Sequence, residues 1–195
     1  MVPLFVDVAT SSDDDVPPPI REVNAIGVGY PGDNGELSVE VLLDDIPAKF
    51  REIVFKVGGR AMSDQNGGGS MKDLRLIGWD IDTVWQTLNG MLLRSKGPRI
   101  YDFHASIYKK WSNNKFGDLR RIATQGWYCD GFKTPFEKYV KWVLPESDAA
   151  MGSMPHPPGP SIMVTGRDEL IDIMTTRVVA MVDLWDKYTR GGKYE

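Results

Sequence analysis

The chain has 195 residues, 42% hydrophobic and 26% charged, with 23 basic against 27 acidic side chains, a formal net charge of −4 and one cysteine. That is an ordinary globular composition, and a chain of this size buries roughly two thirds of its unfolded surface, enough for one main domain. With no apolar run near the roughly 20 residues of a membrane span, no basic leader followed by a hydrophobic segment, and a lone Cys129 that forms no internal disulfide, the sequence predicts an intracellular protein of cytoplasm or nucleus.

Residues 1–19 hold a short apolar piece, then Asp13, Asp14 and Asp15, then Pro17, Pro18 and Pro19. Prolines fix φ and the acidic run repels itself, so this stretch is predicted as a flexible acidic, proline-rich arm. A main α+β domain is expected over 20–144. Its first pair of strands flanks the turn Pro31, Gly32, Asp33, Asn34 and Gly35, after which Leu37, Val39 and Val41 alternate with polar residues. Phe50, Ile53, Val54 and Val57 suit a helix beginning near Pro47. The glycine-rich stretch 62–70 reads as a surface loop and lacks the Lys-Ser or Lys-Thr pair of a phosphate loop. Residues 74–79 form a predicted strand, after which Asp82 opens a helix striped by Val84, Trp85, Leu88, Met91 and Leu92. A strand over 100–107, a helix over 114–125 and a further helix opened by Thr134, Pro135 and Glu137 complete the domain.

Residues 145–161, rich in Pro and Gly, read as a linker or long loop. Over 162–195 a C-terminal element follows, in which Leu170, Ile173, Met174, Val178, Met181, Leu184, Trp185 and Tyr188 repeat at helical spacing. This is the longest predicted helix. Set behind a linker, it could cap its own core or meet a second copy through Met174, Met181 and Trp185. The fold class is therefore α+β: a small antiparallel sheet packed by three or four helices, with a long C-terminal helix.

Charge is unevenly spread. Residues 1–93 hold 7 basic and 15 acidic side chains, 94–142 hold 11 and 4, and 143–195 hold 5 and 8. The basic middle contributes Lys109, Lys110, Lys115, Arg120, Arg121, Lys133, Lys138 and Lys141 as candidate anion-binding residues, interleaved with aromatics such as Trp127 and Trp142. Such a block attracts RNA phosphates or acidic lipid headgroups, unless the acidic ends of the same chain neutralise it. Candidates for catalysis are sparse. His104 follows Asp102 by two residues on a predicted strand, with Cys129 as a conceivable nucleophile, while His156 sits in the proline-rich linker. Asp80 and Asp82 have the spacing of a carboxylate pair for a divalent cation, yet helix starts recruit Asp for capping alone. The sequence therefore predicts no catalytic residues, no metal and no cofactor.

Two segments resemble the matrix proteins of rhabdoviruses. One is Asp13, Asp14, Asp15, Val16, Pro17, Pro18, Pro19 and Ile20, similar to that family's acidic, proline-rich late-domain region, with Ile20 standing where the family usually carries Tyr. The other is Ser112, Asn113, Asn114, Lys115, Phe116, Gly117, Asp118, Leu119 and Arg120, followed by Trp142, Val143 and Leu144. The resemblance implies a non-catalytic viral structural protein of the virion that self-associates, contacts an anionic ribonucleoprotein or membrane surface, and recruits a host protein through Pro17, Pro18, Pro19 and Ile20. A small RNA-binding or host-modulating module is the alternative, and a hydrolase or transferase the third.

Overall fold

The structure is a computed structural model that describes residues 2–11, 15–58, 68–69, 74–97, 99–100, 116–124, 135–144 and 166–190. Its centre is the strand β1, Val2–Thr10, flanked on one side by the antiparallel meander β2, Val23–Pro31, and β3, Leu37–Leu42. On the other side lie β5, Leu74–Gly78, and β7, Phe116–Asp118, both parallel to β1, so the sheet order is β3-β2-β1-β5-β7. Two short pieces, β4, Gly68–Gly69, and β6, Arg99–Ile100, pair with each other in parallel. The helices are α1, Ile46–Val57; α2, Ile81–Arg94; α3, Leu119–Thr124; α4, Phe136–Val143; and α5, Arg167–Arg190. The fold is α+β, with a long C-terminal helix, and its sheet is mixed rather than antiparallel because β5 and β7 return to the sheet across α1 and α2.

Alternation along β1 sends Leu4 and Val6 to one face and Phe5, Asp7 and Ala9 to the other. The first face joins Ile26, Val28, Leu74 and Leu76 with Phe50, Ile53 and Val54 of α1 and Val84, Trp85, Leu88 and Met91 of α2. The second is covered by α4 and α5, through Phe136, Tyr139, Val140, Val178, Met181 and Leu184. Covered on both faces, β1 and β2 read as near-continuous apolar runs rather than as alternating ones. Val2–Thr10 is accordingly the sheet's central strand and not part of an arm. Met174 and Met181 are fully buried against this chain's own sheet, where Gly27 and Gly29 let the α5 backbone approach: a Cβ at Gly27 would lie 2.8 Å from Val178 Cγ2 and 3.2 Å from the Met174 carbonyl oxygen.

Other boundaries also shift. Residues 116–118, predicted as helix, are the edge strand β7, and only 119–124 turn helical. Helix α2 begins after Asp80, which adopts a left-handed conformation with φ 53°, rather than after Asp82. Pro135, not Thr134, sits at the α4 N-cap, and Thr134 lies outside the described residues.

Helices α1 and α2 are stapled by Arg51. Arg51 is 5% exposed, and its guanidinium donates to the carbonyls of Leu92 (3.0 Å) and Lys96 (3.1 Å) and to Ser95 Oγ (2.8 Å), filling the unpaired acceptors at the α2 C-terminus. Burial depresses its pKa. The connection from β1 to β2 is held on α2 as well. Pro18–Ile20 form one 3-10 turn, Arg94 donates to the carbonyls of Pro19 and Arg21, and Gly90 sits beneath the Pro19 carbonyl. Helix propensity alone favours Ala at position 90 by about 1 kcal/mol, but a Cβ there would fall on the Pro19 backbone. Gly90→Ala is expected to lower the stability measured by urea unfolding by about 1–3 kcal/mol; a stabilised variant would show that the proline turn does not rest on α2.

Candidate functional site

Ligands of open α/β sheets gather beyond the carboxyl ends of parallel strands, which makes that edge the first candidate for convergent polar groups. Phe5 pairs with Ile77, and Gly78 with Asp118. This register brings Asp7 of β1, Asp80 just after β5 and Asp118 at the end of β7 to the same edge of the sheet. Three acids on adjacent strands would suit a cation if they were unanswered. Each is answered by arginine.

Asp7, 4% exposed, accepts from Arg177, which is itself 4% exposed and also donates to Glu137 of α4 at 2.5 Å. Burial alone would depress the Arg177 guanidinium, but the carboxylates of Asp7 and Glu137 hold it above its ordinary value. The same guanidinium lies 4.9 Å from the centre of the Phe136 ring. Opposite Asp7 in register is Gly27, which puts no side chain on that face. Asp80 accepts from Arg120 at 2.8 Å and from the Thr83 hydroxyl at 2.9 Å. Asp82 accepts from Arg121 at 3.3 Å. Asp118 accepts from the backbone N–H of Arg120 at 3.0 Å, and Arg121 Nε stands 3.5 Å from its other oxygen. Burial pushes the Asp118 carboxyl above its usual range, the Asp80 charge adds to that, and Arg120 and Arg121 pull against it. Among the described residues, no group of three or more His, Cys, Asp or Glu side chains is placed to hold a metal ion.

The remaining cationic candidates divide cleanly. Arg120 and Arg121 belong to this edge network. Lys138 and Lys141 are exposed on α4, and among the described residues neither makes an ion pair. Lys109, Lys110, Lys115 and Lys133 lie outside the described residues, as do Asp102, His104, Cys129, His156 and the linker 145–161. Pro17, Pro18, Pro19 and Ile20 form the turn on α2, with Ile20 64% exposed. Met174 and Met181 are core residues, and Trp185 packs edge-on to Phe5 with 6.5 Å between ring centres.

Helix α4 thus has two unlike sides. Phe136, Tyr139, Val140 and Val143 recur at helical spacing and pack inward, with the Trp79 ring tilted against Phe136 and Tyr139 at centre distances of 5.2 and 5.3 Å. Lys138, Lys141 and Trp142 occupy the outer side, at positions i, i+3 and i+4. Trp142 is 55% exposed and stands perpendicular to Tyr139, with centres 6.2 Å apart. Lys187 of α5 reaches the α4 C-terminus and donates to the Val143 carbonyl at 2.6 Å.

Sequence reasoning did not find Lys187, Trp142 as a site residue, or the Asp7, Arg177 and Glu137 triad. A signal for the triad was present: Asp7 interrupts an apolar strand, and Arg177 falls inside the apolar stripe of α5 between Met174 and Val178. Comparison with protein families, with curated proteins and with solved structures returned no match. No helix among the described residues is long and apolar enough to cross a membrane.

Breaking a buried ion pair strands the surviving charge, so Arg177→Met is expected to cost about 3–5 kcal/mol in urea unfolding, whereas Lys138→Ala should cost under about 0.5 kcal/mol. Equal, small effects would remove the triad from the list of what holds α5 in place. For Asp118, a folded pKa above the unfolded one means that the native state keeps the proton longer. It therefore favours the fold at low pH, and that contribution is lost as pH rises through the raised value. Asp118→Asn retains an acceptor for the Arg120 N–H, and its stability relative to the unsubstituted protein should improve from about pH 4 to about pH 7. A difference that does not vary with pH would contradict this assignment.

Proposed function

We propose that this chain is a non-catalytic binding protein that meets an anionic partner through the outer face of α4. One observation carries the reading: Lys138 and Lys141 stand exposed side by side on α4 without ion pairs among the described residues, while Arg120 and Arg121 are engaged by carboxylates. The strand edge supports the non-catalytic half. Asp7 and Asp80 are bonded to guanidinium groups and Asp118 to the Arg120 backbone N–H, an arrangement that holds elements together. The narrower matrix-like role, with self-association and a virion setting, rests on the sequence resemblance. A second copy would have to meet some face other than Met174 and Met181, which are spent in the core.

The test is affinity for inorganic polyphosphate as a function of salt. Lys138→Glu/Lys141→Glu is expected to weaken binding at least tenfold at low salt and to flatten its salt dependence, since each lost cation releases fewer counterions. Both positions are exposed, so circular dichroism and the urea midpoint should stay unchanged. Undiminished binding by this folded variant would overturn the proposal.

A further inference from the structure

Resting on the anionic-partner reading above, we propose that the partner is a single-stranded nucleic acid, with Trp142 as a stacking platform for a base and Lys138, Lys141 and Lys187 as its phosphate contacts.

The observations concern what surrounds one ring. Among the described residues, Ile20, Leu37, Leu93 and Trp142 are large apolar side chains exposed to solvent. Trp142 alone is aromatic. It is also the one that shares a helix face with two lysines, and Lys187 extends that cationic rim across to α5. The ring is held rather than loose, because it stands at 89° to Tyr139, and Tyr139 is fixed in turn by Trp79 and by a hydroxyl contact to Tyr188. A pre-positioned indole loses little freedom when a base stacks on it.

Chemistry separates this occupant from the others. In a duplex the bases are already stacked on one another and offer a side-on ring nothing, whereas an unpaired base presents a π-face to an aromatic platform beside a cationic track. A membrane surface would reward the lysines equally, but interfacial binding scales with the apolar area inserted, and the apolar side of α4 is turned inward onto Phe136, Tyr139 and Val140. One ring is too little to insert. Stacking on a base needs only one.

The experiment compares a uridine oligonucleotide of about twelve residues with an abasic phosphodiester of the same length, using the full chain. The oligonucleotide is expected to bind about tenfold tighter than the abasic polymer and to quench Trp142 fluorescence. Trp142→Ala should lose that preference, with the abasic affinity unchanged, and Trp142→Phe should recover part of it. If the oligonucleotide binds no tighter than the abasic polymer, or if Trp142→Ala leaves the preference intact, the stacking proposal fails. The anionic-partner reading then survives only if the abasic affinity still falls in Lys138→Glu/Lys141→Glu. Binding to neither polymer overturns both. Phosphatidylserine vesicles bound more tightly than the oligonucleotide would overturn the nucleic-acid assignment in favour of a lipid surface. Because Trp142 is exposed, an unchanged urea midpoint will certify that the alanine variant is folded.

Discussion

A single guanidinium fixes the relation between the sheet and the two helices that cover its second face. Arg177 comes from the middle of α5, Asp7 from the central strand and Glu137 from the first turn of α4, and the three meet where water is nearly excluded. Replacing all three charged side chains together by apolar ones would change stability little or favourably, because desolvating the charges offsets their attraction, whereas removing one alone strands the others. The triad's consequence is positional. An apolar stripe running the length of a 24-residue helix finds acceptable contacts on an apolar sheet face in more than one register. A buried guanidinium has one acceptable place, beside its carboxylates, and any slide of α5 by a turn would leave it unpaired. Gly27 and Gly29, over which Val178 sits closely, define the same register sterically.

The strand edge applies the same logic to the basic middle of the sequence. Counting charges along the chain assigns a net excess of cations to 94–142, but Arg120 and Arg121 are spent on Asp80, Asp82 and Asp118, two of which come from the acidic N-terminal half. The pairing links α3 to the entry of α2, where Asp80 holds a left-handed conformation that costs a non-glycine residue of order 1 kcal/mol. Thr83 and Arg120 both bond to that carboxylate and so over-determine its position. Cations that balance acids in this way add nothing to the outward field, whereas the lysines of α4, exposed and without ion pairs among the described residues, do contribute to it.

How far the sequence exposed this arrangement depends on how local each signal was. The β2 and β3 meander was legible because turn residues separate two strands at short range, and α2 and α5 were legible because their stripes persist for several turns. Strand β1 was not, since six apolar residues followed by acids and prolines look the same whether they form an arm or a doubly buried strand. The parallel pairing of β1 with β5 joins residues about 70 positions apart and leaves no local trace. Edge strand β7 has three residues, too few for any period to show. For the site, Lys138 and Lys141 were identified by charge, but whether a given cation is exposed or consumed is decided by partners distant in sequence. Arg120 and Arg121, chemically identical candidates, went the other way for that reason.

Helix α4 joins the two halves of this account. Eight residues are too few for a helix to persist alone in water, so its outer face exists only while its inner face is held. Phe136, Tyr139 and Val140 supply the apolar part of that hold, and Glu137 supplies the directional part through Arg177. Lys138, Lys141 and Trp142 are therefore arranged by a charge buried on the opposite side of the same helix. The surface that faces a partner and the interaction that sets the register of the core are separated by one turn of backbone, and a change that loosens the first turn of α4 disperses the cationic face without touching any of its residues.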